Sequence, residues 1–217
     1  MMRKIKHQSL AGLFNIDTLK RLFSTLALSM CLMISACLSF QTVERPEENS
    51  LILRQTTKEE ILKKYGKPNQ RSESIRNFEP FITFIYAHVS GTAKPLHEYA
   101  QPTKTLALNF HKDKLVSYSF LANFANDHTD FDESKVKLVQ KGKHTKTDVR
   151  NLLGTPAGKG VWPILASEDS LAWQYRYAHA SYKNGTPPNI YDKEIAITFD
   201  EEGIVSDVKL TVKGKLN

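Results

Sequence analysis

Several stretches of the chain alternate strictly between apolar and polar side chains. From Leu171 onward, Leu171, Trp173, Tyr175, Tyr177 and His179 share one face, while Ala172, Gln174, Arg176 and Ala178 share the other. A period of two marks a half-buried β-strand. Ile82, Phe84, Tyr86 and His88 repeat the pattern earlier in the chain. Leu106 to Phe110 and Leu115 to Phe120 flank the turn sequence H-K-D-K, and Ile195 to Phe199 and Ile204 to Val212 flank D-E-E-G. Both are hairpin patterns. Two short segments have helical spacing instead. One runs from Thr57 to Pro68 with the stripe Ile61, Leu62, Tyr65; the other runs from Thr145 to Pro156 with Val149, Leu152, Leu153. Thr57 and Thr145 stand where a hydroxyl caps free amide N–H groups. Glu60 completes a capping box, whereas Asp148 is one carbon shorter than the residue that motif uses. Gly66 and Gly154, each two residues before a proline, end the helices.

The segments recur in order. Thr57–Pro68 matches Thr145–Pro156 at an offset of 88. Tyr86–Ser90 matches Tyr177–Ser181 at 91, and Leu106–Phe110 matches Ile195–Phe199 at 89. A repeat in this order predicts an α+β fold of two tandem units. Each is a short helical segment packed on one face of an antiparallel sheet, with the other face open. The boundaries read 51–123 for the first unit, 124–134 for a joint, and 135–217 for the second unit. The proline-bearing loops 91–105 and 183–193 fall at matching places.

The N-terminal region has a different character. Leu22 to Ile34 carries no charge, and Arg3, Lys4, Lys6, Lys20 and Arg21 precede it. A basic leader and a short apolar run make a secretory signal peptide; a bilayer span needs about 20 residues. Ile34-Ser35-Ala36-Cys37 resembles a bacterial lipobox, which implies a signal peptide at 1–36 and lipid attachment at Cys37. Leu38 follows where aspartate is the usual inner-membrane retention signal. The resemblance therefore implies an anchor in the outer membrane, on its periplasmic face. Residues 37–50 read as a flexible tether with a reach of at most about 45 Å.

Composition narrows the chemistry. Of 30 basic and 23 acidic residues, five and one precede Cys37, which reduces the net charge of +7 to +3. That excess, without a clustered basic face, argues against nucleic acid. The two cysteines, Cys31 and Cys37, leave no disulfide in a domain that starts at Cys37. Gly154-Thr155-Pro156-Ala157-Gly158-Lys159-Gly160 has three residues, not four, between its first glycines, and Gly160 stands in place of the Ser/Thr of a phosphate loop. No nucleotide is expected. Asp127, His128, Asp130, Asp132 and Glu133 lack the glycine and terminal glutamate of a calcium loop and read as a solvated acidic joint. His88 and His179 occupy matching strand positions without further ligands at fixed spacing. No G-x-S-x-G elbow occurs. The chain reads as a non-enzyme without cofactor or metal.

The motif T-K-x-D-V-x-x-L-L-G-x-P, then W-x-Y, then a D-x-x-G hairpin ending in V-S-D-V, resembles the SmpA/OmlA (BamE-like) outer-membrane lipoproteins. Lys141-Gly142-Lys143 is similar to that family's glycine before the threonine. The tandem arrangement resembles the β-lactamase inhibitor protein fold, in which two units form a concave surface. These resemblances imply a non-catalytic protein-binding module in envelope or outer-membrane assembly or maintenance. Its partner would be a periplasmic or outer-membrane protein. The alternative is an inhibitor or regulator of a periplasmic enzyme held in the concavity. Strand alternation puts Gln174 and Arg176 on the open face, with Thr83 and Ile85 in the other unit. Tyr182, Asn184 and Tyr191, in or beside the 183–193 loop, are the further candidate contacts.

Overall fold

The computed structural model describes residues 42–183 and 185–215. Cys37, the signal-peptide segment and Asn184 lie outside the described residues.

Helices α1 (Lys58–Tyr65) and α2 (Lys146–Leu153) form where their caps place them. The Thr57 hydroxyl accepts from the Glu60 amide and the Glu60 carboxylate accepts from the Thr57 amide at 2.8 Å. Thr145 and Asp148 reciprocate in the same way, also at 2.8 Å. The shorter aspartate thus completes its box, contrary to the sequence expectation, because extended backbone at Thr145 brings its amide within reach. Gly66 and Gly154 end the helices with φ of 68° and 81°. Eight residues are too few for an independent helix. Ile61 and Val149 therefore anchor them in the core. The Tyr86 and Tyr175 hydroxyls each donate to a terminal carbonyl, at Gly66 and Gly154, at 2.9 Å. Leu62, expected on the apolar stripe, is instead 42% exposed.

The strands are β1 (Gln70–Arg76), β2 (Glu79–Val89), β3 (Thr103–His111), β4 (Lys114–Phe124), β5 (Asp127–His128), β6 (Gly158–Gly160), β7 (Leu171–Ser181), β8 (Asn189–Phe199) and β9 (Val205–Lys213). A 3-10 helix spans Glu133–Leu138. The architecture is α+β, and every strand pair is antiparallel. The order is β1-β2-β3-β4-β6-β7-β8-β9, with β5 beside β4. Among the described residues one sheet runs through both halves.

Two devices close the seam between β4 and β7. At one end the three residues of β6 pair with Ser117–Ser119 on one side and Ala172–Gln174 on the other. Only glycine fits at 158, since a Cβ there would stand 2.4 Å from the Tyr118 carbonyl oxygen. At the other end, the loop after β2 fills the gap. The Leu96 amide donates to Asn123, and Lys94 accepts from the Ala125 amide. The Gln101 amide donates to Ala180, and Tyr99 accepts from the Tyr182 amide. The proline-bearing loop 91–105 is thus a backbone-bonded stitch between the halves, because β4 and β7 would otherwise present unpaired groups.

Two apolar clusters lie under the helices. Phe84 packs on Phe110 at 5.1 Å between ring centroids, and Trp173 on Phe199 at 5.1 Å. Ring for ring and hydroxyl for hydroxyl, Phe84 corresponds to Trp173 and Tyr86 to Tyr175, a spacing of 89. The sequence match of Tyr86 to Tyr177 is two residues out of register, and with it the pairing of His88 with His179. Arg54 and Gly142 share a left-handed backbone, with φ of 63° and 72°. Their amides donate to Leu115 and Val205 respectively.

Two further expectations are corrected. From Thr42 onward the tether is docked. Val43 is 2% exposed, Glu44 pairs with Lys104 at 2.9 Å, and Arg45 bonds Asp127 at 3.0 Å and lies over the Phe120 ring. Glu48 meets Arg150 on α2. One buried valine and three ion pairs offset the entropy of ordering the segment. The acidic joint is not simply solvated either. Lys104, 7% exposed, holds Asp127 at 2.9 Å, while Lys193, 8% exposed, holds Asp130 at 2.7 Å and donates to the Phe131 carbonyl. Burial of an ammonium group requires such partners.

Candidate partner-binding face

The face of the sheet opposite the helices is floored by small side chains. Ala87, Ala107, Ser119, Ala172, Ala178 and Ala196 alternate with the buried residues of their strands. A polar rung crosses β2, β3 and β4. The Thr83 hydroxyl donates to the Asn109 side-chain carbonyl at 2.6 Å, and the Asn109 amide donates to Ser117 at 2.6 Å. Ile85 stands one pleat further along, half-buried. Thr83 and Ile85 therefore lie on the face to which alternation assigned them.

The charged centre is on β7 and β8. Arg176 donates from Nε to one oxygen of Asp192 at 3.0 Å and from Nη2 to the other at 2.8 Å. Its Nε is 3.7 Å from Glu194. The guanidinium holds the Asp192 carboxyl below its usual range by hydrogen bonding and by charge, against the opposing effect of burial. Register explains the arrangement: Arg176 is directly across from Glu194, and Ala178 from Asp192, so the guanidinium reaches one diagonal and one direct neighbour. Gln174, across from Ala196, is half-buried beside them.

A trough runs beside this centre, lined by the acidic partners of Arg176 and by Gln174. One cleft of about 230 Å³ is lined by Arg76, Ser117, Gly160, Ile164, Gln174 and Glu194. A second of about 550 Å³, lined by Arg76, Asp192, Glu194, Lys209 and Lys213, shares Arg76, Glu194 and Ala196 with the first. Arg76 overhangs because the turn between β1 and β2 is tied down elsewhere. The Asn77 side-chain amide donates to the Pro163 and Leu165 carbonyls at 2.9 and 2.7 Å, and Arg76 donates to Ile164 at 3.3 Å. Lys209 and Lys213 were not among the sequence candidates, although alternation along β9 puts them on one face. No linear signal brings Arg76 of the first half over β8 of the second. A separate hollow of about 310 Å³, bounded by Lys58, Pro80, Phe81, His111 and Lys112, is not part of this trough.

The loop candidates separate. Tyr182 is 59% exposed and follows β7. Asn184 is outside the described residues. Tyr191 is not a loop residue; it lies in β8, 6% exposed, directly across from His179. The strand begins at Asn189, two residues after Pro187, because Ser181 and Asn189 already pair. Tyr191 is removed from the candidate surface. Among the described residues, no three His, Cys, Asp or Glu side chains converge as metal ligands, and no helix is long and apolar enough to cross a membrane.

Comparison with known proteins gives one family. Residues 129–209 match the model described as "Outer membrane protein assembly factor BamE domain". No curated protein matches. A crystal structure from Streptococcus mutans, described as that of a candidate beta-lactamase inhibitor protein, is similar at 14% identity with a TM-score of 0.39. That likeness covers 72% of this chain and 82% of that one. The family match contains α2, β6, β7 and β8, and with them Gln174, Arg176, Asp192 and Glu194. Over residues 129–209, then, the chain is similar to the BamE domain of the outer membrane protein assembly factors.

Proposed function

We propose that this protein is a lipid-anchored lipoprotein of the outer membrane, facing the periplasm. It works as a non-catalytic protein-binding module in outer-membrane assembly. The observation that carries the reading is the match of residues 129–209 to the BamE domain. The lipobox at Ile34–Cys37 supports the anchor, and the pairing of Phe84–Phe110 with Trp173–Phe199 supports an origin in two related units. The trough lined by Gln174, Asp192 and Glu194, with Arg176 beside it, is the binding surface in this reading. Its small-residue floor admits another backbone closely, and its charges of both signs supply polarity and register.

A photocrosslinking residue at Gln174, with a second at exposed Leu62 on α1 as control, tests the surface in living cells. Capture of barrel-assembly subunits from Gln174 alone is the expected result. Capture of a soluble periplasmic hydrolase from Gln174 would replace the assembly role with the inhibitor role. Capture from Leu62 alone would move the site to the helical side. The anchor is tested separately: Cys37→Ser should leave unprocessed precursor or soluble protein, and its recovery as a processed membrane lipoprotein would refute the lipobox.

A further inference from the structure

One aromatic cluster takes no part in the proposed binding face. Under the sheet, on the side away from the trough, His97, Tyr177, His179 and Tyr191 stack ring on ring. Centroid separations are 5.0 Å for His97–His179, 5.6 Å for His97–Tyr177, 5.6 Å for Tyr177–His179 and 5.6 Å for His179–Tyr191. Tyr177 is 0% exposed and His179 is 7% exposed. Three polar atoms in this cluster, Tyr177 Oη, His179 Nδ1 and His97 Nε2, have no hydrogen-bond partner among the described residues. Buried polar atoms without partners are unusual enough to require an account.

The cluster is also where the seam loop is held. His97 belongs to the segment whose neighbours Leu96 and Gln101 donate to Asn123 and Ala180, and whose Tyr99 carbonyl accepts from Tyr182. Ala100 bridges Ser181. The side chain that covers His179 is therefore carried by the loop that joins the two halves of the sheet. Beside the backbone bonds of Lys94, Leu96, Tyr99 and Gln101, the His97 ring supplies side-chain contacts to β7 through Tyr177 and His179.

We propose that His97 and His179 form a pH-sensitive latch: the loop 94–101 is seated on β7 while the His179 ring is unprotonated, and protonation of His179 releases the loop. The groups around His179 set the sign. Tyr177 on its own strand and Tyr191 on β8 are uncharged neighbours, and the His97 ring faces it from the loop. The Asp130 carboxylate, from the joint, favours the imidazolium, but it is paired with Lys193 at 2.7 Å. Glu133 stands near Tyr191, further out. Burial is the largest effect and, with His97, it holds His179 below the ordinary histidine value against the weaker pull of Asp130. The seated loop thus binds fewer protons at His179 than the released loop does. Its stability is fully present above the ordinary histidine range near pH 6.5 and falls as the pH drops below it. One proton per release gives at most about a tenfold rise in the released population per pH unit. Release uncovers Tyr177, His179 and Tyr191 and leaves β4 and β7 unpaired at that end, while β6 still joins them at the other.

Amide hydrogen exchange on the purified protein, measured from pH 7.5 to 5 and expressed as protection factors, tests the latch. Leu96, Gln101 and Tyr182 should lose protection by up to tenfold per unit below about pH 6.5, whereas Leu108 and Ile197 in the strand centres hold theirs. In His179→Phe the seam amides should become independent of pH. Equal loss at seam and strand centres, or the same loss in His179→Phe, would overturn the latch. If His179→Phe does not fold, the native protein still decides: the His179 ring and the Leu96 and Gln101 amides must titrate with one midpoint in NMR spectra, and distinct midpoints refute the coupling.

Discussion

The guanidinium of Arg176 embraces the carboxylate of Asp192 with two hydrogen bonds, at 3.0 and 2.8 Å, on the face of the sheet opposite α1 and α2. A forked pair of this kind fixes both side chains, so Arg176 is presented to a partner in one orientation. Both side chains are partly exposed, at 33% and 22%, and the pair adds only about 0–1 kcal/mol to stability. Arg176→Glu would place three carboxylates together at 176, 192 and 194. It should abolish crosslinking from Gln174 while leaving the thermal midpoint within a few degrees of the native value. Retained capture would remove Arg176 from the binding surface.

The same pair makes a prediction about pH. Asp192 is depressed in the folded state, so its contribution is present above the ordinary aspartate value of 3.8 and is lost as the pH falls through the folded value. The stability difference between the native protein and Arg176→Gln should therefore be constant from neutral pH to about pH 4 and shrink below it. Urea unfolding at several pH values measures it; a difference that grows on acidification would contradict the assigned charge state.

Trp173 is 4% exposed and packs edge-on against Phe199, with Arg150 and Lys159 near its ring. Trp173→Ala should cost about 3–5 kcal/mol in urea unfolding. A loss below about 1 kcal/mol would mean that the surroundings close over the space the ring leaves.

At Gly158 the limit is backbone contact. Gly158→Ala forces a Cβ toward the Tyr118 carbonyl, which cannot swing aside as a side chain could. A cost of about 1–3 kcal/mol is expected, with loss of amide protection confined to Ser117–Ser119 and Ala172–Gln174. Full native protection across that seam would mean that β6 shifts without cost.

The docked segment near the N-terminus sets a further test. Val43→Ala removes two carbons from a site 2% exposed and should cost about 1.6 kcal/mol at ~0.8 kcal/mol per buried carbon. Proteolysis between Thr42 and Ser50 should accelerate accordingly. Unchanged proteolysis would show that the ion pairs of Glu44, Arg45 and Glu48 suffice to hold the segment.

The sequence by itself determined the local elements. Capping threonines, terminal glycines and strict alternation are written in neighbouring residues, and each acts through geometry within a few residues of itself. The two helices, the hairpins and the open face with Thr83, Ile85, Gln174 and Arg176 were legible for that reason. Tertiary structure decided what depends on residues distant in the chain. The seam is one case: Gly158 reads as a loop glycine until Tyr118 stands beside it, and the loop 94–101 reads as surface until β4 and β7 offer it free carbonyls and amides. Tyr191 looked like a loop contact because Pro187 and Pro188 precede it, yet pairing with His179 carries it inside. Glu44 and Arg45 looked solvated because their partners, Lys104 and Asp127, lie 60 and 82 residues away. The same distance hid Arg76, whose place over Asp192 and Glu194 is fixed by a turn bonded to Pro163 and Leu165. Short-range geometry repeats whatever the surroundings, whereas an ion pair or a seam exists only once the chain has brought both partners together.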